Sequence, residues 1–209
     1  MPCRDVLSQL REAYPEIVPM GAGALAVATG ADFQARQLME EGLPFPALPN
    51  DIAFDEDGTA YVTDSLQATV WRVPAGGGTP QVWYQDARFT PDPVIGVGTN
   101  GIRLSPDRSK AFVTVTFDQA GQSFLYTLPL VAAPQPSDLL VFKAFGPTDL
   151  PDGIAFGKSG NLYVAIATPG LSGIVILDPS GTIRYLHRGK TLGDYPPLGE
   201  VLAALRAST

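Results

Sequence analysis

Three oxygen-bearing residues, Asn50, Asn100 and Asp152, stand 50 and 52 residues apart and head three similar segments. Amide and carboxylate oxygens are hard donors, suited to calcium or magnesium rather than to a soft metal. If the three converge on one axis, they form a cation site. The competing explanation is local: Asn50-Asp51, Asn100-Gly101 and Asp152-Gly153 are dipeptides that commonly turn a chain into a strand. Against it, each segment has its own turn seven positions later, at Asp57-Gly58, Asp107-Arg108 and Ser159-Gly160.

Other chemistries find no support in the residues. Cys3 is the single cysteine, so the chain makes neither an internal disulfide nor a zinc cluster of cysteines. His187 is the single histidine, and no GxSxG elbow accompanies it, which argues against a serine hydrolase. Residues 21–26 match a loose dinucleotide fingerprint, but Pro19 interrupts the strand that should precede it and no βαβ unit follows. Gly189-Lys190-Thr191 ends like a phosphate loop whose earlier glycine position holds Arg184. Asp55 to Gly58 imitates a calcium loop, but its glycine comes too early and Leu66 occupies the place of the bidentate acid.

The elements that must position the three residues follow from the repeat around them. PNDIAFDEDGTAYVTDS starts at Pro49, TNGIRLSPDRSKAFVTVT at Thr99 and PDGIAFGKSGNLYVAIA at Pro151. After the turn comes an aromatic-valine pair, Tyr61-Val62, Phe112-Val113 or Tyr163-Val164, and the middle copy carries one extra residue before it. A third run follows in VWRVP, FLYTLP and IVILDP, and a fourth in QVWYQD, LLVFKAF and TIRYLHR. Four short strands in roughly 50 residues are the signature of a β-propeller blade. The first strand alternates, with Ile52 and Phe54 on one face, and Ile102/Leu104 and Ile154/Phe156 repeat that phase. The predicted fold is an all-β propeller in one domain: a tail and partial blade over 1–48, blades over 49–98, 99–150 and 151–190, and a C-terminal tail over 191–209. Helical spacing of apolar residues predicts short helices over 3–14 and 199–207.

Composition agrees. The 209 residues are 45% hydrophobic and 17% charged, and Gly 22 with Pro 20 make about a fifth of the chain, against roughly an eighth on average. A net charge of −7 argues against a nucleic-acid partner. No run approaches the roughly 18 apolar residues of a membrane helix. The uncharged stretch over 17–31 follows Asp5, Glu12 and Glu16 against Arg4 and Arg11, where a secretory signal would be positive. The chain therefore reads as soluble, with a cytoplasmic place slightly favoured over secretion.

The three motifs, in this order and spacing, resemble the senescence-marker-protein/gluconolactonase family of six-bladed propellers over residues 45–188. The resemblance implies a divalent cation in the channel, calcium foremost, with magnesium, manganese or zinc also open. It implies Asn100 and Asp152 as metal ligands, and Asn50 as a residue that binds substrate or a metal-bound water. Asp152 would also help activate water for hydrolysis of a small-molecule lactone or related ester. The family's further glutamate ligand lies far upstream of Asn50; Glu40 and Glu41 are too close to be that residue, and Leu48 stands where a basic residue is frequent. Six blades of about 50 residues ask for about 300, so the expectation is an open arc with exposed blade faces and a tendency to self-associate. The alternative to a hydrolase is a non-catalytic propeller that binds a ligand or protein on its loops.

Overall fold

Each of the three motifs forms the two inner strands of a four-stranded antiparallel sheet, in a computed structural model that describes residues 26–27, 47–48, 50–94, 96–168, 171–191, 199, 200 and 203. A parallel pair, β1 (Ala26–Val27) with β2 (Ala47–Leu48), precedes them. The first blade is β3 (Ile52–Phe54), β4 (Ala60–Asp64), β5 (Thr69–Val73) and β6 (Gln81–Gln85). The second is β7 (Thr99–Leu104), β8 (Lys110–Val115), β9 (Phe124–Pro129) and β10 (Leu140–Ala144). The third is β11 (Leu150–Phe156), β12 (Leu162–Thr168), β13 (Leu171–Leu177) and β14 (Ile183–Arg188). In every blade the strands pair in sequence order, so each connection is a hairpin.

The expected turns close the innermost hairpins. Gly58, Arg108 and Gly160 have φ of 85°, 56° and 81°, and each N–H donates to the carbonyl three residues back. This left-handed region strains most L-residues, which is why glycine fills it twice.

Stacking of the blades makes the core. Ala53, Tyr61, Val70 and Trp83 of the first blade pack on Ile102, Val113 and Leu128 of the second. Phe112 and Leu125 of the second pack on Ile154, Leu162, Val164 and Leu177 of the third. The inner-strand phase holds in the second and third blades, where Ile102, Leu104 and Ile154 are buried. In the first blade it holds only for Ile52, which packs on Ala60, Val62 and Val73. Phe54 is 55% exposed, on the side of the blade turned away from its neighbour. The three sheets form an arc that does not close on itself, an all-β, incomplete propeller. No helix among the described residues is long and apolar enough to cross a membrane. The expected N-terminal helix lies outside the described residues; of the C-terminal one, only Gly199, Glu200 and Ala203 are described, and they are helical.

Candidate functional site

The strand β7 lies between β3 and β11, so the three inner strands run side by side and their opening residues follow one another along the arc. None of the three dipeptides is a simple turn. Asn100-Gly101 and Asp152-Gly153 sit inside register shifts of β7 and β11, between Thr99 and Ile102 and between Pro151 and Ile154. Such bulges re-aim a side chain while the strand continues. Asn50 precedes β3 with φ of 90°, a conformation that asparagine tolerates better than most residues.

A relay of hydroxyls connects them. The Asn50 Nδ2 donates to Ser65 Oγ at 2.7 Å and to the Thr99 carbonyl at 2.9 Å. Ser65 Oγ donates in turn to that same carbonyl, the residue before Asn100. One blade on, Asn100 Nδ2 donates to Thr116 Oγ1 at 3.0 Å, and Thr116 Oγ1 donates to the Pro151 carbonyl at 2.8 Å, the residue before Asp152. A second row runs parallel: Thr63 Oγ1 donates to the Asn100 carbonyl, and Thr114 Oγ1 to the Asp152 carbonyl at 2.8 Å. These hydroxyls alternate along β4 and β8, or lie just past their ends, so one face of each strand carries both rows.

The third blade departs from this pattern. Where β4 and β8 lead into Thr63/Ser65 and Thr114/Thr116, β12 has Ala165 and Ala167, both exposed. Asp152 is exposed as well, whereas Asn50 and Asn100 are half-buried. The segment leading to Asp152 is held from the outer strand, where Arg188 clasps the buried Asp149 through two bonds of 2.5 and 2.6 Å. That pairing holds the Arg188 guanidinium above its ordinary pKa.

Asp51 takes the place that Gly101 and Gly153 hold in the other blades. Its Oδ1 accepts from the Ile52 N–H at 2.8 Å, and its Oδ2 from the Ile102 N–H at 3.0 Å and from Arg103 at 2.7 Å. The carboxylate thus bonds β3 to β7 beside the two asparagines. The hydroxyl rows and Asp51 were not singled out from the sequence. Their signal lies in the aligned segments themselves, as YVTDS, FVTVT and YVAIA.

The donor set suits a hard divalent cation: two amide oxygens and one carboxylate at equivalent places of three adjacent inner strands. Among the described residues no group of three or more His, Cys, Asp or Glu could hold a metal. A site here would be built on asparagine.

No sequence-family profile matches the chain. It is 30% identical over 152 residues to a gluconolactonase of Zymomonas mobilis, an alignment covering 68% of this chain and 41% of that protein. The chain thus spans less than half the length of the curated relative it matches. A PQQ-bound aldose sugar dehydrogenase of Streptomyces coelicolor superposes with a TM-score of 0.53 at 21% identity, over 75% of this chain and 47% of that one. A gluconolactonase of Xanthomonas campestris superposes at 0.49 with 22% identity, over 66% and 46%. The first superposition is a likeness of fold, and the Zymomonas alignment is a likeness of sequence. The described blades are those of a senescence-marker-protein/gluconolactonase-like β-propeller, of which this chain spans a part.

Proposed function

We propose that the chain serves divalent-cation-assisted hydrolysis of a lactone or related ester, with Asp152, Asn100 and Asn50 as its working residues. The observation that carries this reading is how the asparagine amides are committed: every hydrogen bond they make among the described residues uses Nδ2. Asn50 spends both of its N–H groups in this way, and the oxygen of each amide is left to offer to a ligand. The gluconolactonase relative supports the substrate class. Asn100 and Asp152 would hold the cation, which when bound supplies Lewis-acid polarisation of the substrate carbonyl. Asn50 would accept a hydrogen bond from the substrate or from the attacking water.

Asp152 is the group able to take a proton. Water adds to the carbonyl carbon, its proton passes to the carboxylate, the ring C–O bond breaks, and the proton returns to the departing oxygen to leave a hydroxy acid. Exposure suits this role, since a carboxylate within reach of solvent can accept and release protons without an internal chain of donors.

The test is gluconolactone hydrolysis by residues 1–209 with added calcium, with a chelator, and in Asp152→Asn. The expected result is a calcium-dependent rate that the substitution lowers by about a hundredfold or more, the loss expected for a general base. A rate indifferent to both chelator and substitution rules the reading out. Calcium binding without hydrolysis would mark a ligand-binding module.

A further inference from the structure

We infer that Ser65 and Thr116 are positioning residues that fix which end of the Asn50 and Asn100 amides is offered to a ligand. The role rests on the cation reading above for its purpose, though not for its geometry. An asparagine amide is nearly symmetric in shape, so packing alone discriminates poorly between its oxygen and its nitrogen. Hydrogen-bond polarity discriminates well. A backbone carbonyl only accepts, and a hydroxyl has a single proton to give. Thr116 Oγ1 lies 2.8 Å from the Pro151 carbonyl and gives its proton there. Toward Asn100, 3.0 Å away, it can then act only as an acceptor, so the amide must turn its NH2 inward and its oxygen outward. Ser65 does the same between the Thr99 carbonyl and Asn50. Asn50 is doubly held, because its second N–H reaches the Thr99 carbonyl itself.

The third blade pairs its opening residue differently. Its opening residue is Asp152, whose two carboxylate oxygens are equivalent and need no orienting. The position aligned with Ser65 and Thr116 is Ala167. Asparagine is paired with a hydroxyl in two blades, and aspartate with an alanine in the one where the hydroxyl would have nothing to orient. The second row, Thr63 and Thr114, bonds the next blade without orienting an amide and also gives way to an alanine, Ala165, and no described blade follows the third. The variants below therefore separate orienting an amide from joining two blades.

The experiment uses the full chain, with calcium alone as the probe, and compares wild type with Thr116→Val, Thr116→Ser and the double variant Asn100→Asp/Thr116→Val. Calcium affinity is read by calorimetry, folding by thermal melts, and the Asn100 side-chain amide by NMR proton exchange. Valine keeps the shape of threonine and removes the hydroxyl. Thr116→Val should weaken calcium binding by about tenfold, the effect of one hydrogen bond, and release the Asn100 amide protons to faster exchange. Thr116→Ser should preserve both readouts. The double variant, which copies the Asp/Ala pairing of the third blade, should regain the affinity, because a carboxylate presents oxygen either way round. The positioning role is overturned if Thr116→Val leaves affinity and amide exchange unchanged, or if Asn100→Asp fails to restore what Thr116→Val lost in variants that melt cooperatively. A wild type that takes up no calcium, yet protects the Asn100 amide through Thr116, would refute the cation reading and uphold the orientation.

Discussion

At the scale of single residues, two glycines in equivalent places carry very different burdens. A Cβ on Gly101 would lie 2.4 Å from the Asp152 carbonyl oxygen and 3.1 Å from the Gly153 Cα. Both are backbone atoms, so they can yield only if β11 moves. A Cβ on Gly153 would meet nothing within 4 Å. Gly101→Ala should therefore cost about 2–3 kcal/mol, the scale of overpacking, and should weaken calcium binding by displacing Asp152. Gly153→Ala should stay within about 0.5 kcal/mol of wild type, as a surface substitution away from special features does. Urea melts of the two variants check this; equal losses would mean that the glycines answer a common backbone need and not a contact between blades.

At the scale of elements, the first and second blades are stapled by a short 3-10 helix, Ala87–Phe89, that follows β6. Phe89 is fully buried against the rings of Tyr84 and Tyr126, at centroid distances of 5.6 and 5.9 Å. Arg88 reaches across to the carbonyls of Leu139 at 3.1 Å and Pro136 at 2.7 Å, while Asp86 holds its guanidinium at 2.7 Å. The Arg88 hydrogen bonds hold the Asp86 pKa down at about 2, and the same pairing raises that of Arg88. A carboxylate whose folded pKa is depressed stabilises the protein above its unfolded pKa, and that contribution is lost as pH falls from about 4 toward 2. Asp86→Asn should then cost about 2 kcal/mol at neutral pH, since a tenfold difference in proton affinity between the folded and unfolded chain is worth about 1.4 kcal/mol. The deficit should shrink steadily as the two proteins are compared at lower pH. A deficit of the same size at neutral pH and at a pH of about 2.5, near the folded pKa, would assign the effect to packing and not to charge.

At the scale of the molecule, the arc ends in a face with no described sheet against it. On the third blade, Ala155, Ala165 and Ala167 are exposed, and Tyr163, Ile174 and Tyr185 on the same face are half-buried. Phe54 is similarly exposed at the other end of the arc. Apolar faces of this kind favour association. Residues 1–209 in isolation should show a mass that rises with concentration in chromatography with light scattering, and Ala165→Lys should shift it toward the monomer. A concentration-independent monomer in both would show that the face is covered.

Much of this was legible in the letters. Period-two alternation and the turns at Asp57-Gly58 and Ser159-Gly160 depend on neighbours a few residues apart, so β3, β4, β7, β8, β11 and β12 could be drawn from them. The equivalence of Asn50, Asn100 and Asp152 was legible too, because a repeat preserves register without any knowledge of how its copies pack. Their hydroxyl partners were visible as letters and opaque as chemistry: whether Thr116 donates to or accepts from Asn100 depends on the Pro151 carbonyl, 35 residues away. The same holds for Asp51, whose carboxylate finds Ile102 and Arg103 only once β3 and β7 lie side by side. Phe54 alternates correctly and is nevertheless exposed, because alternation states which side of a strand a residue takes and not whether a neighbouring blade covers it. Sequence by itself determined the strands, their order and the candidate oxygens, all properties of local pattern. Only the tertiary structure decided which atom each amide presents, since hydrogen-bond polarity is imposed by a carbonyl from the next blade.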